Sequence, residues 1–382
     1  MRVWMPVIFC ALLSAGCGSR DEAQPASPAA APTAETTPPP AAAPATPAPT
    51  PPPPAPATPP ALTADGAQVV APDNFIRAES DRYIGDLAKE SGGLGKLLHR
   101  REPASIDHQS VIRLNRDTLY SSAAFDLDAG PVTITLPEAG DRFQSLMVVN
   151  QDHYTWTEYG AGPHTFDRQK AGTRYVIAGI RTLVDPADPA DVEAVHKLQD
   201  AITVSQPGGP GTLELPRWDK ASQDKVRDAL LALAATSSGF THAFGQKDQV
   251  DPVAHLMATA AGWGGNPDKD ATYLGVAPPK NDGKTVYRLR VKDVPVDAFW
   301  SVSVYNAKGY FEKNALNAYS LNNLTAVKDP DGAVTIQFGG CDGKIPNCLP
   351  TVPGWNYTVR LYRPQQAILD GSWTFPAAEP VV

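Results

Sequence analysis

Residues 118–127 read Thr-Leu-Tyr-Ser-Ser-Ala-Ala-Phe-Asp-Leu, and this run decides the fold class. Its Thr, Tyr and Phe content marks a strand. Outward from it, residues 132–136, 143–150 and 174–183 share that character, rich in Val, Ile, Thr and aromatics. Turn signals at Asp128-Ala129-Gly130-Pro131 and Glu138-Ala139-Gly140-Asp141 separate them. Four such strands between residues 112 and 183 predict an antiparallel sandwich.

The period then changes. Asp188-Pro189 offers an N-cap residue followed by proline at the first helical position, and Val192, Val195 and Ile202 follow at roughly helical spacing. Val226, Ala229, Leu230 and Leu233 make an i, i+3, i+4, i+7 stripe, which predicts a helix over 222–235. Asp251-Pro252 repeats the start signal, with Gly262 as the expected C-cap. Strands return at 286–291, 299–305, 333–338 and 357–362, with turns at Asn306-Ala307-Lys308-Gly309 and Asp329-Pro330-Asp331-Gly332. The reading is mainly β: an Ig-like antiparallel β-sandwich domain over 65–185, a small helical domain over 186–280, and a jelly-roll-like antiparallel β-sandwich domain over 281–382.

The first 64 residues belong to neither sandwich. Arg2, an apolar run over 3–13 and the small residues Ser14, Ala15 and Gly16 read as a signal peptide over 1–16. Leu12-Leu13-Ser14-Ala15-Gly16-Cys17 resembles the lipobox of bacterial lipoproteins, in which the cysteine becomes the lipid-bearing first residue. Each buried CH₂ of an acyl chain contributes about 0.8 kcal/mol, so several chains anchor firmly. Gly18, where Asp is absent, points to the periplasmic face of the outer membrane in a Gram-negative type envelope. Residues 17–64 then carry much of the proline, 39 residues in the whole chain. Ala, Pro and Thr cannot build a core, so a disordered tether with polyproline character is expected, with a reach on the order of 130 Å.

Cys10 leaves with the signal and Cys17 takes lipid, so Cys341 and Cys348 remain. In an exported chain such an isolated pair is expected as a disulfide. A zinc site needs further ligands, and no histidine is near. The net charge of −8 gives no electrostatic reason to collect on phosphates, which argues against a nucleic-acid partner. Neither a cofactor nor a metal is expected. There is no Gly-x-Ser-x-Gly elbow, His-Glu-x-x-His helix, Walker loop or dinucleotide fingerprint. Gly92-Gly93-Leu94-Gly95-Lys96 has the wrong spacing for a phosphate loop.

The densest polar cluster opens the deciding strand: Asn115, Arg116, Asp117, Thr118 and Tyr120 can make several charge-assisted hydrogen bonds to a ligand. Pairing of Arg116 and Asp117 with neighbours, fixing a strand entry, explains the same residues. His153 beside Asp152 is a candidate acid or base near neutral pH, although adjacent strand residues face opposite ways and a structural histidine fits as well. His255 reads as a partly buried helix residue. Trp355, Tyr357, Tyr362, Arg360 and Arg363 could form an aromatic platform for a sugar ring or a carboxylate, or simply pack the core. Alternation over 357–363 puts Tyr357, Val359, Leu361 and Arg363 on one face and Thr358, Arg360 and Tyr362 on the other.

Residues 111–121, Val-Ile-Arg-Leu-Asn-Arg-Asp-Thr-Leu-Tyr-Ser, followed by Phe125-Asp126-Leu127 and Gly130-Pro131-Val132, resemble domain of unknown function 1254. Residues 299–305 through Tyr319-Ser320, then Leu361-Tyr362-Arg363-Pro364 and Gly371-Ser372-Trp373, are similar to its companion, domain of unknown function 1214. The resemblance runs from about 75 to 376 and implies two β-sandwich-type domains flanking a helical one, with no settled reaction. The chain departs from the wider pattern at Cys348, where Trp is frequent, and at Ala318, where a basic residue is common. The expected function is an envelope lipoprotein that binds a small ligand or envelope component between its two sandwiches through Asn115, Arg116, Asp117, Tyr120 and His153. The alternative is a hydrolase of an envelope ester or glycan using Asp117 or His153.

Overall fold

A computed structural model describes residues 61–109, 112–237 and 239–381. The signal peptide, Cys17 and the proline-rich tether up to residue 60 lie outside the described residues. Chain order begins α1 (Phe75–Ser91), β1 (Leu98–Arg100), β2 (Thr118–Asp126), β3 (Val132–Leu136), β4 (Gln144–Asn150), β5 (Thr155–Tyr159) and β6 (Gly162–Phe166). It continues with α2 (Arg168–Ala171), β7 (Tyr175–Leu183), α3 (Pro189–Asp200), β8 (Thr203–Ser205), α4 (Lys220–Ala234) and α5 (Pro252–Gly262). The last third holds β9 (Ala271–Val276), β10 (Tyr287–Val291), β11 (Trp300–Tyr305), β12 (Ser320–Asn322) and β13 (Val334–Phe338). β14 (Cys348–Leu349), β15 (Asn356–Tyr362), α6 (Gln366–Leu369) and β16 (Glu379–Pro380) complete it.

The protein is mainly β, as the strand pattern implies. A five-stranded sheet in the order β1-β2-β7-β4-β5 lies over a three-stranded sheet, β6-β3-β8. Strand alternation sends Ala123, Phe125, Leu146, Val148, Val176, Ala178 and Ile180 into the layer between them, where they meet Val132, Ile134 and Phe166. In the second half, β12-β11-β15-β9 faces β14-β13-β10-β16. That core contains Trp300, Val302, Tyr357, Val359 and Leu361 against Leu289, Ile336 and Phe338, with Trp355 fully buried. Pairing between described strands is antiparallel except for β13 with β14, a departure from the all-antiparallel expectation.

The helix starts follow the capping signals. Asp188, Asp219 and Asp251 each accept a hydrogen bond from a first-turn backbone N–H, and Pro189 and Pro252 occupy the opening positions of α3 and α5. The end of α5 differs from the expectation: Gly262 is still helical and Trp263 is the cap. Helix α1, which the sequence pattern does not announce, packs with α4 and α5 through Phe75, Ala78, Leu230, Val226 and Leu256. Helix α3 instead sets Val195 against Leu119 and Val184 at the end of the five-stranded sheet.

Cys341 and Cys348 are bonded, with Cα atoms 5.6 Å apart. Closing a loop of this length stabilises by roughly 2.5 kcal/mol in the chain-entropy account. Among the described residues no helix is long and apolar enough to cross a membrane, and no cluster of three or more His, Cys, Asp or Glu could hold a metal ion.

Candidate functional site

One face of the five-stranded sheet is spent on the apolar core, and the other carries Tyr120, Gly179, Arg181, Ser145 and Met147. Tyr120 pairs across strands with Arg181, Arg181 with Ser145, and Gly179 with Met147. Helix α1 covers one end of this face, where Ile84 and Ala88 meet Ala124, Tyr175 and Ile177. The sheet β12-β11-β15-β9 presents its second face to the same region. Ser301 lies opposite Arg360, and Arg360 opposite Tyr273, so all three share that face. An apolar seam of Leu183, Phe299, Ala271 and Tyr362 joins the two halves beside it, with the rings of Phe299 and Tyr362 stacked at 4.2 Å.

The middle of the junction is open. A Cβ placed on Gly179, halfway along the central strand β7, would meet no atom within 4 Å. Tyr273 is 45% exposed, and Tyr120 and Arg181 are only partly covered. Burial is nonetheless the largest influence on the ionisation of all three. Side chains crowded by protein yet reachable by solvent line a cleft, here floored by β7 and walled by β9 and β15.

Two arginines dominate its electrostatics. Arg360, 3% exposed, donates to Ser303 Oγ at 2.8 Å, to the carbonyls of Arg113 and Leu114 at 2.9 and 3.2 Å, and to the Tyr305 hydroxyl at 2.7 Å. Arg181 makes far less of its donors: its Nη1 reaches Asn266 Oδ1 at 3.2 Å and Met147 Sδ at 3.8 Å. Neither forms an ion pair with a carboxylate among the described residues. Burial works against both charges, but nearby Tyr120, Tyr273 and Tyr362 outweigh it at Arg181. Tyr305, Tyr362 and Asp117 do so at Arg360, so both guanidiniums stay cationic. Burial also works to raise the Tyr120 phenol, yet Arg181, Thr118 and Arg360 leave it below its ordinary value.

Of the five residues expected at the site, three reach this junction. Asn115 donates from Nδ2 to the Tyr362 hydroxyl at 2.8 Å and accepts from the Asp117 backbone N–H at 2.7 Å. Asp117, 2% exposed, accepts from Ser301 Oγ at 2.6 Å. Burial pushes its carboxyl up, and Arg360, Ser301 and Asn322 do not overcome that. Tyr120 stands beside Arg181, whose guanidinium lies 5.5 Å from its ring centre.

Arg116 turns elsewhere. It donates to the Ala104 carbonyl and lies 5.5 Å over the Tyr319 ring.

His153 is also apart, fully buried at a turn with φ of 63° and held against α5. The Gly264 N–H donates to its Nε2 at 2.8 Å, which places the proton on Nδ1, donating to Thr259 Oγ1 at 2.7 Å. Burial and His255 hold its pKa well below the ordinary histidine value. Its ring stacks between Trp263 at 5.1 Å and His255 at 5.3 Å, so it is a neutral packing element with both nitrogens occupied.

The aromatic platform divides in the same way. Trp355 and Tyr357 pack the core, while Arg360 and Tyr362 face the cleft, as alternation along β15 requires. Arg363 lies beyond β15 rather than on its core face and sits 4.9 Å over Tyr159. Sequence reasoning did not reach Gly179, Arg181, Asn266 and Tyr273. The available signal was a glycine and an arginine two apart in the otherwise apolar run 175–183.

Residues 94–206 match the family model described as Protein of unknown function (DUF1254), and residues 277–366 match the one described as Protein of unknown function (DUF1214). The chain belongs to this DUF1254–DUF1214 pairing. Within the DUF1254–DUF1214 protein, the first match supplies Tyr120, Gly179 and Arg181, and the second supplies Ser301, Arg360 and Tyr362. Asn266 and Tyr273 lie between the two. The fold is similar to that of the VPA0106 protein from Vibrio parahaemolyticus, at 18% identity and a TM-score of 0.64 over 81% of this chain and 97% of that one. An uncharacterised protein from Burkholderia cenocepacia aligns at 14% identity over 81% of this chain and 88% of that one, with a TM-score of 0.44. No curated protein matches the DUF1254–DUF1214 protein.

Proposed function

We propose that this protein binds a small molecule in the cleft over β7, and that it does so as an envelope lipoprotein tethered through Cys17 to the periplasmic face of the outer membrane. The observation that carries the binding reading is the unfilled space above Gly179, floored by a rigid central strand and flanked by Arg181, Tyr120 and Tyr273. The hydrolase alternative fits less well, because Asp117 is 2% exposed and hydrogen-bonded to Ser301, while both His153 ring nitrogens are engaged.

Filling the cleft tests the reading. Gly179 has an ordinary backbone conformation, so Gly179→Leu is expected to fold with stability within about 1 kcal/mol of the parent while projecting its side chain into the space. In a thermal-shift survey of small acids, sugars and amides, compounds that raise the melting temperature of the parent should leave Gly179→Leu unmoved. Equal shifts in both proteins discard the cleft. For the tether, Cys17→Ala is expected to move the protein from the membrane pellet to the soluble periplasmic fraction; retention in the pellet rejects the lipid anchor.

A further inference from the structure

The cleft is a concentration of donors with almost nothing to receive them. The Tyr273 hydroxyl accepts from Asn266 Nδ2 at 2.7 Å and the Tyr362 hydroxyl accepts from Asn115 Nδ2 at 2.8 Å, which leaves each O–H free to donate. The Tyr120 hydroxyl lies among the Thr118 and Arg181 side chains, which hydrogen-bond to it. Asn266 Oδ1 already accepts from Arg181 Nη1, so the same amide binds the guanidinium with one end and Tyr273 with the other. Among the described residues the hydrogen-bond partners of the Arg181 guanidinium are all neutral: Asn266, Met147 and the Tyr120 hydroxyl. The one carboxylate nearby, Asp117, is engaged by Ser301 and lies under the influence of Arg360 rather than Arg181.

A guanidinium crowded by protein without a counter-charge is costly, and proteins rarely keep one there without a use. Several arginines are matched by carboxylates, Arg227 by Glu79, Arg174 by Asp126 and Arg142 by Asp191, while Arg113 and Arg116 spend their donors on Asn356, Thr358 and the Ala104 carbonyl away from the open space. At Arg181 no carboxylate partner is present among the described residues, the Tyr120, Tyr273 and Tyr362 phenols lie around it, and open space adjoins it over Gly179. Met147, an apolar side chain, pairs with Gly179 across the strands and shares its face.

We infer that the cleft takes an organic monocarboxylate, its carboxylate forked by Arg181 and hydrogen-bonded by the Tyr120, Tyr273 and Tyr362 hydroxyls, with its organic part over Gly179 and Met147. The ligand class follows from the count of charges and donors. Arg360 and Arg113 are tied down by backbone carbonyls and neutral side chains, so Arg181 is the guanidinium that borders the space over Gly179, and its fork matches the planar geometry of a carboxylate. The inference rests on the cleft-binding reading and adds the charge and shape of what is bound.

Calorimetric titration of the full-length protein at low salt, with acetate, benzoate and 2-naphthoate each paired with its neutral amide and with inorganic phosphate alongside, tests it. At least one acid is expected to bind, with its amide at least about 10-fold weaker, because hydrogen bonds to a charged group are the stronger ones. Arg181→Met is expected to weaken acid binding about 10- to 100-fold while melting, unliganded, no lower than the parent, since it removes an unmatched buried cation. Arg181→Lys keeps the charge without the fork and should retain weakened binding, which preserves the test if the Met variant does not fold. Amides binding as tightly as acids, with both lost in Gly179→Leu, overturns the charge assignment and leaves the cleft reading intact. Phosphate binding above every carboxylate, or no acid binding at all, also overturns the inference.

Discussion

Arg360→Met is expected to lower the unfolding free energy by about 3–5 kcal/mol, read as a shift in the urea midpoint at unchanged slope. The reason lies in what the guanidinium holds. Its four acceptors include two backbone carbonyls of residues 113 and 114, which belong to the other half of the molecule. Arg113 itself sits in the left-handed region, with φ of 55°, and donates to Asn356 and Thr358 on the strand that carries Arg360. Removing Arg360 takes a donor from the Arg113 carbonyl and leaves Leu114 held only by the Tyr305 hydroxyl, which loosens the segment that positions Asn115 and Asp117. Arg288→Met, on the exposed side of β10, is the control and is expected to change stability by no more than about 0.5 kcal/mol. A loss below 1 kcal/mol for Arg360→Met would show that the two halves are held by the apolar seam alone. The contrast with Arg181 is the point: two arginines at one junction, one bound on all sides by protein and one left for something else.

The second large effect belongs to the helical layer. Glu79 is 2% exposed and receives Arg227, Arg82 at 2.6 Å and Gln223 at 3.0 Å. Burial works to raise its pKa, but the hydrogen bonds and charges of Arg227 and Arg82 outweigh that and hold it below the ordinary carboxylate value. A carboxylate depressed by folding contributes stability that is present above its unfolded pKa, near 4.5, and is lost as the pH falls through the lower folded value. Glu79→Leu should therefore cost about 3–5 kcal/mol at pH 7, because Arg227 is left buried with only Asp224 beside it. The cost should shrink as the pH falls below 4.5, which urea melts across that range measure. Asp81, on the same helix, acts in the opposite sense: burial raises its pKa, so protonation favours the folded state there. A pH-independent cost for Glu79→Leu would remove Glu79 as the acid-sensitive group.

The same helix shows why parts of the fold could not be read from sequence. The inner side of α1 buries Glu79, Ser80 and Asp81 beside Phe75, Ala78, Ile84 and Ala88, so its apolar stripe is interrupted by charges whose partners include α4, Trp218 and the 150–153 turn. The long strands were legible because their inner faces are uniformly apolar, and β3 follows its sequence pattern from end to end. β1, β8, β14 and β16 are two or three residues long and carry no measurable period. At the site, Asn115, Asp117 and Tyr120 stood out because they cluster in sequence. Arg181 and Tyr273 become neighbours only through strands far apart in the chain. His153 misled because a histidine beside an aspartate looks like chemistry, whereas the backbone turn sends Asp152 outward to Arg77 and the imidazole inward.

The junction also sets an order of assembly. Tyr362 and Arg360 reach partners more than 240 residues earlier in the chain. The first pair of sheets closes on strands ending at Ser205, so that half can collapse while the remainder is still being delivered. Until β15 arrives, the surface left waiting carries Tyr120, Ser145 and Arg181 among Leu183, Phe143 and Met147, so wettable groups break up what would otherwise be a greasy sheet. A half-delivered chain can therefore linger without sticking to its neighbours, and the polarity that shapes the finished cleft also protects the unfinished molecule.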